Sequence, residues 1–404
     1  MNSKLKLKRK RLLQEISPNV ILLGVVSLLT DISSEMIHPL LPMFIVALGG
    51  GGMVVGLIGG LGDSLASILK VFAGFWSDRS GKRKPFIFMG YLLSSLSKIF
   101  LALCLVWQHI FVLRAVERVG KGLRTAPRDA IIADSTLKLR GKAFGLHRAM
   151  DTLGAIGGSA ATFLLFYFLR FDFKPIFLLA GAVGISALIP LFWVKEKRKE
   201  ARKISLKISL SGVSRPLRWF ILVATLFALG NFSYMFFLLR IKEMVGDPRW
   251  SVALPVLYYI WFNAVYTAFS VPLGALSDII GRKPVLILGY LLYGLVCLGF
   301  IWAGSWAAFV LLFALYGMVY ASIDLGQRAL ASDLSGRDSR GIALGTFHTS
   351  IGLAALPANL VAGIFWQRVG PHSSFAYGAG MSGLAVLLFL IIGVEQRLQL
   401  RGKS

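Results

Sequence analysis

Gly74-Phe-Trp-Ser-Asp78-Arg79-Ser-Gly81-Lys82-Arg83-Lys84-Pro85 returns 200 residues later as Gly274-Ala-Leu-Ser-Asp278-Ile-Ile-Gly281-Arg282-Lys283-Pro284. Each copy closes a long apolar segment and opens a short basic loop before the next one. The same offset relates Arg128 to Arg328, and Arg140-Gly141-x-Ala143-x-Gly145 to Arg340-Gly341-x-Ala343-x-Gly345. A repeat of about half the chain is the sequence mark of a carrier built from two parallel halves.

Working outward from the repeat, the composition is that of a membrane protein. Apolar residues make up 56% and charged ones 16%, whereas a soluble domain carries about a quarter charged residues. The net charge of +25 invites a nucleic-acid reading, but its placement excludes one. Of the 44 Lys and Arg, 29 lie in the two tails and the loops at 78–84, 134–142, 195–218, 278–283 and 333–340. Only 6 lie in the alternate loops, and 9 fall within apolar segments. This asymmetry places both termini in the cytoplasm. No soluble domain exists to present the basic residues to a nucleic acid, and basic loops of this kind touch anionic lipid heads.

Twelve segments are long and apolar enough to cross a bilayer: about 19–46, 53–76, 86–106, 110–133, 143–169, 174–194, 219–239, 251–273, 284–304, 307–331, 342–366 and 373–394. They are spans 1 to 12 below. The expected architecture is an all-α membrane protein with 12 transmembrane helices in two pseudo-symmetric six-helix bundles. Its parts are a basic tail at 1–17, bundles at 18–194 and 219–395, a basic linker at 195–218 and a tail at 396–404. The first apolar run follows a basic stretch but lacks a small-residue cleavage pattern, so it reads as a retained span. Cys104 and Cys297 sit inside apolar segments and suggest neither a disulfide framework nor a zinc site.

The doubled loop, after spans 2 and 8 of a 6+6 repeat, resembles the motif G-x-x-x-D-r-x-G-r-[kr] of the major facilitator superfamily. The first copy is close to complete, and the second has Ile279 where a basic residue is common. Arg118-Val-Gly-Lys-Gly-Leu-Arg-Thr-Ala-Pro-Arg-Asp129 is similar to a prokaryotic branch of efflux and permease proteins. The resemblance implies a multi-pass prokaryotic inner-membrane carrier with a central cavity lined by spans 1, 4, 7 and 10. It also implies a cytoplasmic gate at Gly74, Asp78, Arg79, Gly81 and Arg83 and at Gly274, Asp278, Gly281 and Arg282. There Asp78 would latch to the helix start at Gly341, and Asp278 to that at Gly141. Gly74 and Gly274 permit close backbone approach, and an aspartate suits exposed helix N–H groups.

Span 4 carries Arg114, Glu117, Arg118, Lys121, Arg124 and Arg128, spaced 3, 1, 3, 3 and 4 apart. At 3.6 residues per turn these fall within a sector of about 120°, a polar stripe that cannot face lipid. Arg124 and Arg128 are expected at the gate, pairing with Asp129, Asp134 or Asp78. Arg114, Arg118 and Lys121 lie deeper, as candidate substrate contacts. Asp31, Glu35 and His38 share one face of span 1, at depths matching Lys121, Arg118 and Arg114. Either these are static ion pairs, or Glu35 (before Asp31 and His38) exchanges a salt bridge for a proton. Gly154-Ala-Ile-Gly157-Gly158 in span 5 is similar to the family's antiporter motif but has Gly158-Ser159 where Gly-Pro is expected.

The second half offers Asn231, Tyr234, Tyr320 and Asp324 as cavity groups. Phe232, Phe236, Phe237, Tyr258, Tyr259 and Trp261 form its aromatic wall. Such a lopsided site suits a small amphipathic organic solute, exported in exchange for protons. An organic or phosphorylated anion clamped by the span-4 bases is the alternative. A third reading keeps the fold as a transport-inactive receptor or regulator. A metal cargo is disfavoured by the basic stripe. No G-x-x-x-x-G-K-[ST] loop is present to drive an ATP pump, so neither an enzyme nor a cofactor is expected. No span demands a partner for its burial, which points to a monomer.

Overall fold

The computed structural model describes residues 17–135, 140–196, 214–335 and 340–401. Every described segment between loops is helical, and each expected span is present with its ends moved by a few residues. Spans 2 to 6 are helices Gly52–Ser80, Lys84–Leu101, Trp107–Ser135, Arg140–Phe163 and Phe173–Ser186. Span 5 ends in a π turn at Leu164–Phe168, and span 6 in a 3₁₀ turn at Pro190–Trp193. Spans 8 to 12 are Trp250–Ile280, Arg282–Trp302, Trp306–Asp333, Arg340–Arg368 and Pro371–Arg401.

Spans 1 and 7 differ from the rest because each is interrupted. Span 1 is Pro18–Glu35, a turn, then Leu41–Ala47. Span 7 is Arg215–Gly230, a break at Asn231-Phe232-Ser233, then Tyr234–Glu243. Pro39 and Pro42 each remove a backbone donor and explain the first interruption. Ser233 explains the restart of the second, since its Oγ accepts from Met235 N at 3.4 Å. The linker 195–218 falls mostly outside the described residues.

Among the described residues nine helices are long and apolar enough to cross a membrane, covering spans 2 and 5 to 12. The remaining three are interrupted or carry several charges. Span 1 is broken and bears Asp31 and Glu35, span 3 bears Lys84 and Lys98, and span 4 bears the charged stripe.

Each copy of the motif ends its helix at a glycine. Gly81 and Gly281 have φ of 65° and 94°, a left-handed region open to glycine without steric cost. The helix therefore runs through Asp78 and Asp278 and stops at these glycines, so the loop is shorter than the basic run suggests. The expected close approach at Gly74 is found, with a Cβ there 3.3 Å from Ala126 Cβ. Gly274 departs from that expectation: among the described residues nothing lies within 4 Å of a Cβ placed on it.

The chain forms two compact units. The first comprises residues 1–38, 69–104 and 112–205. Its core joins Val20, Leu23 and Val26 of span 1 to Ile87 and Tyr91 of span 3, Ile132 of span 4 and Leu191 after span 6. The second comprises residues 39–68, 105–111 and 206–404. Its centre is aromatic: Phe237 meets Tyr316, Phe300 and Phe375 at ring centroids of 4.4, 4.9 and 5.2 Å. Trp302 and Leu105 are left exposed, as suits side chains meeting lipid.

Candidate functional site

In the first unit, an acid–base cluster grows from the end of the first helix of span 1. Glu35 is its last residue, and His38 lies in the turn that follows, with Nδ1 3.0 Å from Glu35 Oε1. The turn frees the carbonyl of Met36, which Thr162 Oγ1 of span 5 satisfies at 2.9 Å. An unsatisfied carbonyl at membrane depth costs several kcal/mol, so this contact allows the break at that point.

Span 5 reaches span 1 through its glycines. A Cβ at Gly154 would lie 2.6 Å from Leu28 O and 3.0 Å from Asp31 Cβ. One at Gly158 would run into Ile32 O and meet Glu35 Cβ at 3.0 Å. The Gly154-x-x-x-Gly158 pair thus lays one backbone against the other beside both carboxylates. This is the structural role of the glycine run.

Lys98 of span 3 is the group that sequence reading left without a role. It is 1% exposed, and its Nζ donates to Ser33 Oγ at 2.9 Å and Ser34 Oγ at 2.8 Å. Ser33 Oγ donates in turn to Ala180 O of span 6 at 2.5 Å. The two serines thus hold the Lys98 side chain in place. A lone lysine in an apolar span was the available signal.

Span 4 brings its stripe to the same cluster. Arg114, Glu117 and Arg118 are all buried. Arg114 Nη1 donates to Glu117 Oε2 one turn on. Glu117 lies within electrostatic range of Arg118, Lys98 and His38. Asp31 lies within electrostatic range of Asp151, Lys121, Glu35 and Arg124.

Towards the motif end of this unit, Arg124 stacks over the Tyr91 ring at 4.4 Å, a cation–π contact. Arg128 pairs with Asp129 at 3.0 Å and donates to Ser27 Oγ at 3.1 Å. Arg83 bridges Asp78 and Asp134 at 2.9 and 2.5 Å. Burial works against its charge, but the bonds to Asp78 and Asp134 outweigh this and raise its guanidinium above the usual arginine value. The Glu196 carboxylate caps span 3 by accepting from Arg83 N and Lys84 N at 2.5 and 3.1 Å. The second unit repeats the bridge, with Arg282 3.5 Å from Asp278 and 2.5 Å from Asp333.

In the second unit, the break of span 7 is held by three side chains. Tyr377 OH donates to Leu229 O at 2.5 Å and Tyr293 OH to Gly230 O at 2.9 Å. Asn359 Oδ1 accepts from Ser233 N at 2.8 Å. Tyr234 then stacks at a tilt on Tyr259, ring centroids 5.2 Å apart. Asp324 accepts from Tyr266 OH at 3.0 Å and Arg328 Nη2 at 2.9 Å. Tyr320 packs edge-on to Phe262 and lies within electrostatic range of Asp63 and Asp324.

The aromatic wall is only partly a wall. Phe232, Phe236 and Phe237 are fully buried in the aromatic centre, because the break turns them inward. Trp261 is exposed, its Nε1 donating to Val310 O at 2.9 Å. Tyr234, Tyr259, Phe262, Tyr266 and Tyr320 remain as a linked aromatic face. Among the described residues no group of three His, Cys, Asp or Glu side chains is placed to hold a metal ion.

The profile of the Major Facilitator Superfamily matches residues 23–264 and 244–403. The chain is 46% identical over 382 residues to the "Uncharacterized MFS-type transporter MJ1317" of Methanocaldococcus jannaschii, covering 94% of this chain and 96% of that one. It is 28% identical over 231 residues to the "Multidrug resistance protein MdtH" of Proteus mirabilis, covering 55% and 56%. Among solved structures, the nucleoside transporter NupG superposes with a TM-score of 0.78 at 13% identity, over 92% of this chain and 98% of that one. The POT family transporter PepTSo does so with 0.76 at 13%, over 94% and 98%. Identities this low speak for the fold alone.

Proposed function

The chain belongs to the Major Facilitator Superfamily, and on that premise we propose that it exports a small amphipathic organic solute in exchange for protons. As a member it is a multi-pass membrane protein and a secondary transporter. We further infer that Glu35 carries the coupling proton, with Asp31 and His38 beside it. The observation that carries the reading is the first unit's buried acid–base cluster, built around a broken span. A carboxylate there responds both to desolvation and to the charge of its neighbours. It sits against glycine backbone on one side and His38 on the other, so its partner can change without moving a helix.

The solute class follows from the second unit. Its polar groups are few (Asn231, Tyr234, Tyr320, Asp324) and set among tyrosine and phenylalanine rings. A sugar would want many amide and hydroxyl partners, whereas an amphipathic solute needs a ring face and one or two polar contacts. The similarity to a protein named for multidrug resistance agrees with this. The anion reading rests on Arg114, Arg118 and Lys121. The Arg114–Glu117 pair weakens it, because a guanidinium bonded to a carboxylate has less to offer a substrate anion. Arg83 with Asp78, and Arg282 with Asp278, are assigned to the gate, on the cytoplasmic side given by the basic loops.

The test is uptake of tetraphenylphosphonium into everted vesicles under an imposed pH gradient. The proposal expects uptake that collapses with the gradient and is lost in Glu35→Gln. Thermal stabilisation by organic phosphates that vanishes in Arg118→Ala, without stabilisation by lipophilic cations, would establish the anion carrier instead.

A further inference from the structure

Breaking a span inside a membrane leaves backbone groups that water cannot reach. In span 7 the carbonyls of Leu229 and Gly230 are taken up by Tyr377 and Tyr293, from spans 12 and 9. The amide of Ser233 is taken up by Asn359 of span 11. Asn359 is 1% exposed, and its Nδ2 donates to Ala355 O at 2.8 Å, which fixes the amide so that Oδ1 faces the break.

Asn359 also stands where span 2 lies closest to span 11, within the same unit. A Cβ at Gly56 would run into Asn359 O, and one at Gly60 would lie 2.8 Å from Asn359 Cβ and 2.9 Å from Leu356 Cα. One at Gly59 would meet Ser233 Cβ at 3.2 Å. The seam continues either way. Ser64 Oγ donates to Gly352 O at 2.5 Å, and a Cβ at Gly363 would lie 2.6 Å from Gly52 O. The glycine face of span 2 therefore covers Asn359 and the restart of span 7 together.

We propose that Asn359 is the positioning residue that keeps span 7 broken at 231–233, held in place by the glycine face of span 2. Asn231 opens the break and Tyr234 follows it, so their presentation to a solute depends on this contact. When span 2 leaves the seam, Asn359 loses its cover, and the Ser233 amide loses a fixed acceptor. Outward movement of span 2 and reshaping of the span-7 site are then one event. This inference rests on the transport reading for the role of Asn231 and Tyr234, but not for the bond itself.

Hydrogen exchange of the full chain in nanodiscs, followed by mass spectrometry over peptides spanning 231–236, tests it without a substrate. Asn359→Ala is expected to speed exchange there about ten-fold, the loss of one buried hydrogen bond. Exchange in Asn359→Ala within two-fold of wild type overturns the proposal. Should that variant fail to fold, Gly56→Ala, which pushes span 2 off Asn359, must speed exchange over the same peptides, and unchanged exchange overturns the locking role. The functional arm is tetraphenylphosphonium uptake. Asn359→Ala raises KM about ten-fold with Vmax nearly kept, as expected when binding groups are misplaced; an unchanged KM with faster exchange refutes the positioning role. If the wild type carries no tetraphenylphosphonium, the export reading falls, while the exchange experiment still decides the role of Asn359.

Discussion

Gly157 and Gly158 are neighbours in span 5, and a methyl group should be tolerated at one and not the other. At Gly158 an added Cβ would overlap Ile32 O and stand 3.0 Å from Ile32 C and Glu35 Cβ. Comfortable carbon–oxygen approach begins near 3.3 Å, so the two helices must part by roughly 0.5–1 Å. The obstacle is helix backbone, which cannot rotate aside. Overpacking of this kind costs ~1–3 kcal/mol. It also pulls Thr162 away from Met36 O, now 2.9 Å from its hydroxyl. At Gly157 the nearest atom to an added Cβ is Ile32 Cγ1 at 3.9 Å, ordinary contact with a flexible side chain. There alanine is neutral, or stabilising by up to ~1 kcal/mol through helix propensity. The assay is thermal unfolding of the detergent-purified chain, wild type against Gly157→Ala and Gly158→Ala. For a chain of this length the expected separation is a few degrees, with Gly158→Ala below wild type and Gly157→Ala at or above it. Equal losses in both variants would refute the account of span 5 lying on span 1 through Gly158.

Three further outcomes follow from the same geometry. Arg83→Lys cannot fork between Asp78 and Asp134, so transport should slow several-fold while the melting temperature, set by partly exposed pairs worth about 0–1 kcal/mol, barely moves. A double-mutant cycle of Lys98→Met with Ser34→Ala should show a coupling of ~1 kcal/mol in unfolding free energy, the net worth of one buried hydrogen bond; zero coupling would separate the two side chains. Cys104 and Cys297 are both buried, so maleimide should label neither in the folded protein and both after denaturation.

The repeated motif, the length of the apolar runs and the basic loops were enough to recognise the architecture. A transmembrane helix satisfies its own backbone, so its existence depends on local composition. The cluster of span 1 with span 4 was legible for a related reason: ionisable residues in apolar spans must find one another or water, and helical spacing shows which share a face. Legibility ended where a partner is a single neutral side chain or an ordinary lysine far along the chain. Lys98 meets Ser34 across 64 residues, and Asn359 meets Ser233 across 126. Gly158 and Gly157 look alike in sequence, and only the packing of span 5 on span 1 distinguishes them.

The sequence by itself determined that this is an all-helical, multi-pass membrane protein with an internal repeat. It also determined that spans 1 and 4 bring acidic and basic side chains into apolar surroundings. Those properties are set by segments of about twenty residues or fewer, each interacting with the solvent around it. Only the tertiary structure decided where span 7 breaks, which hydroxyls and amides heal the breaks, and which glycines carry close helix contacts. Each of these depends on distances of a few tenths of an ångström between residues remote in the chain, and no local pattern records them.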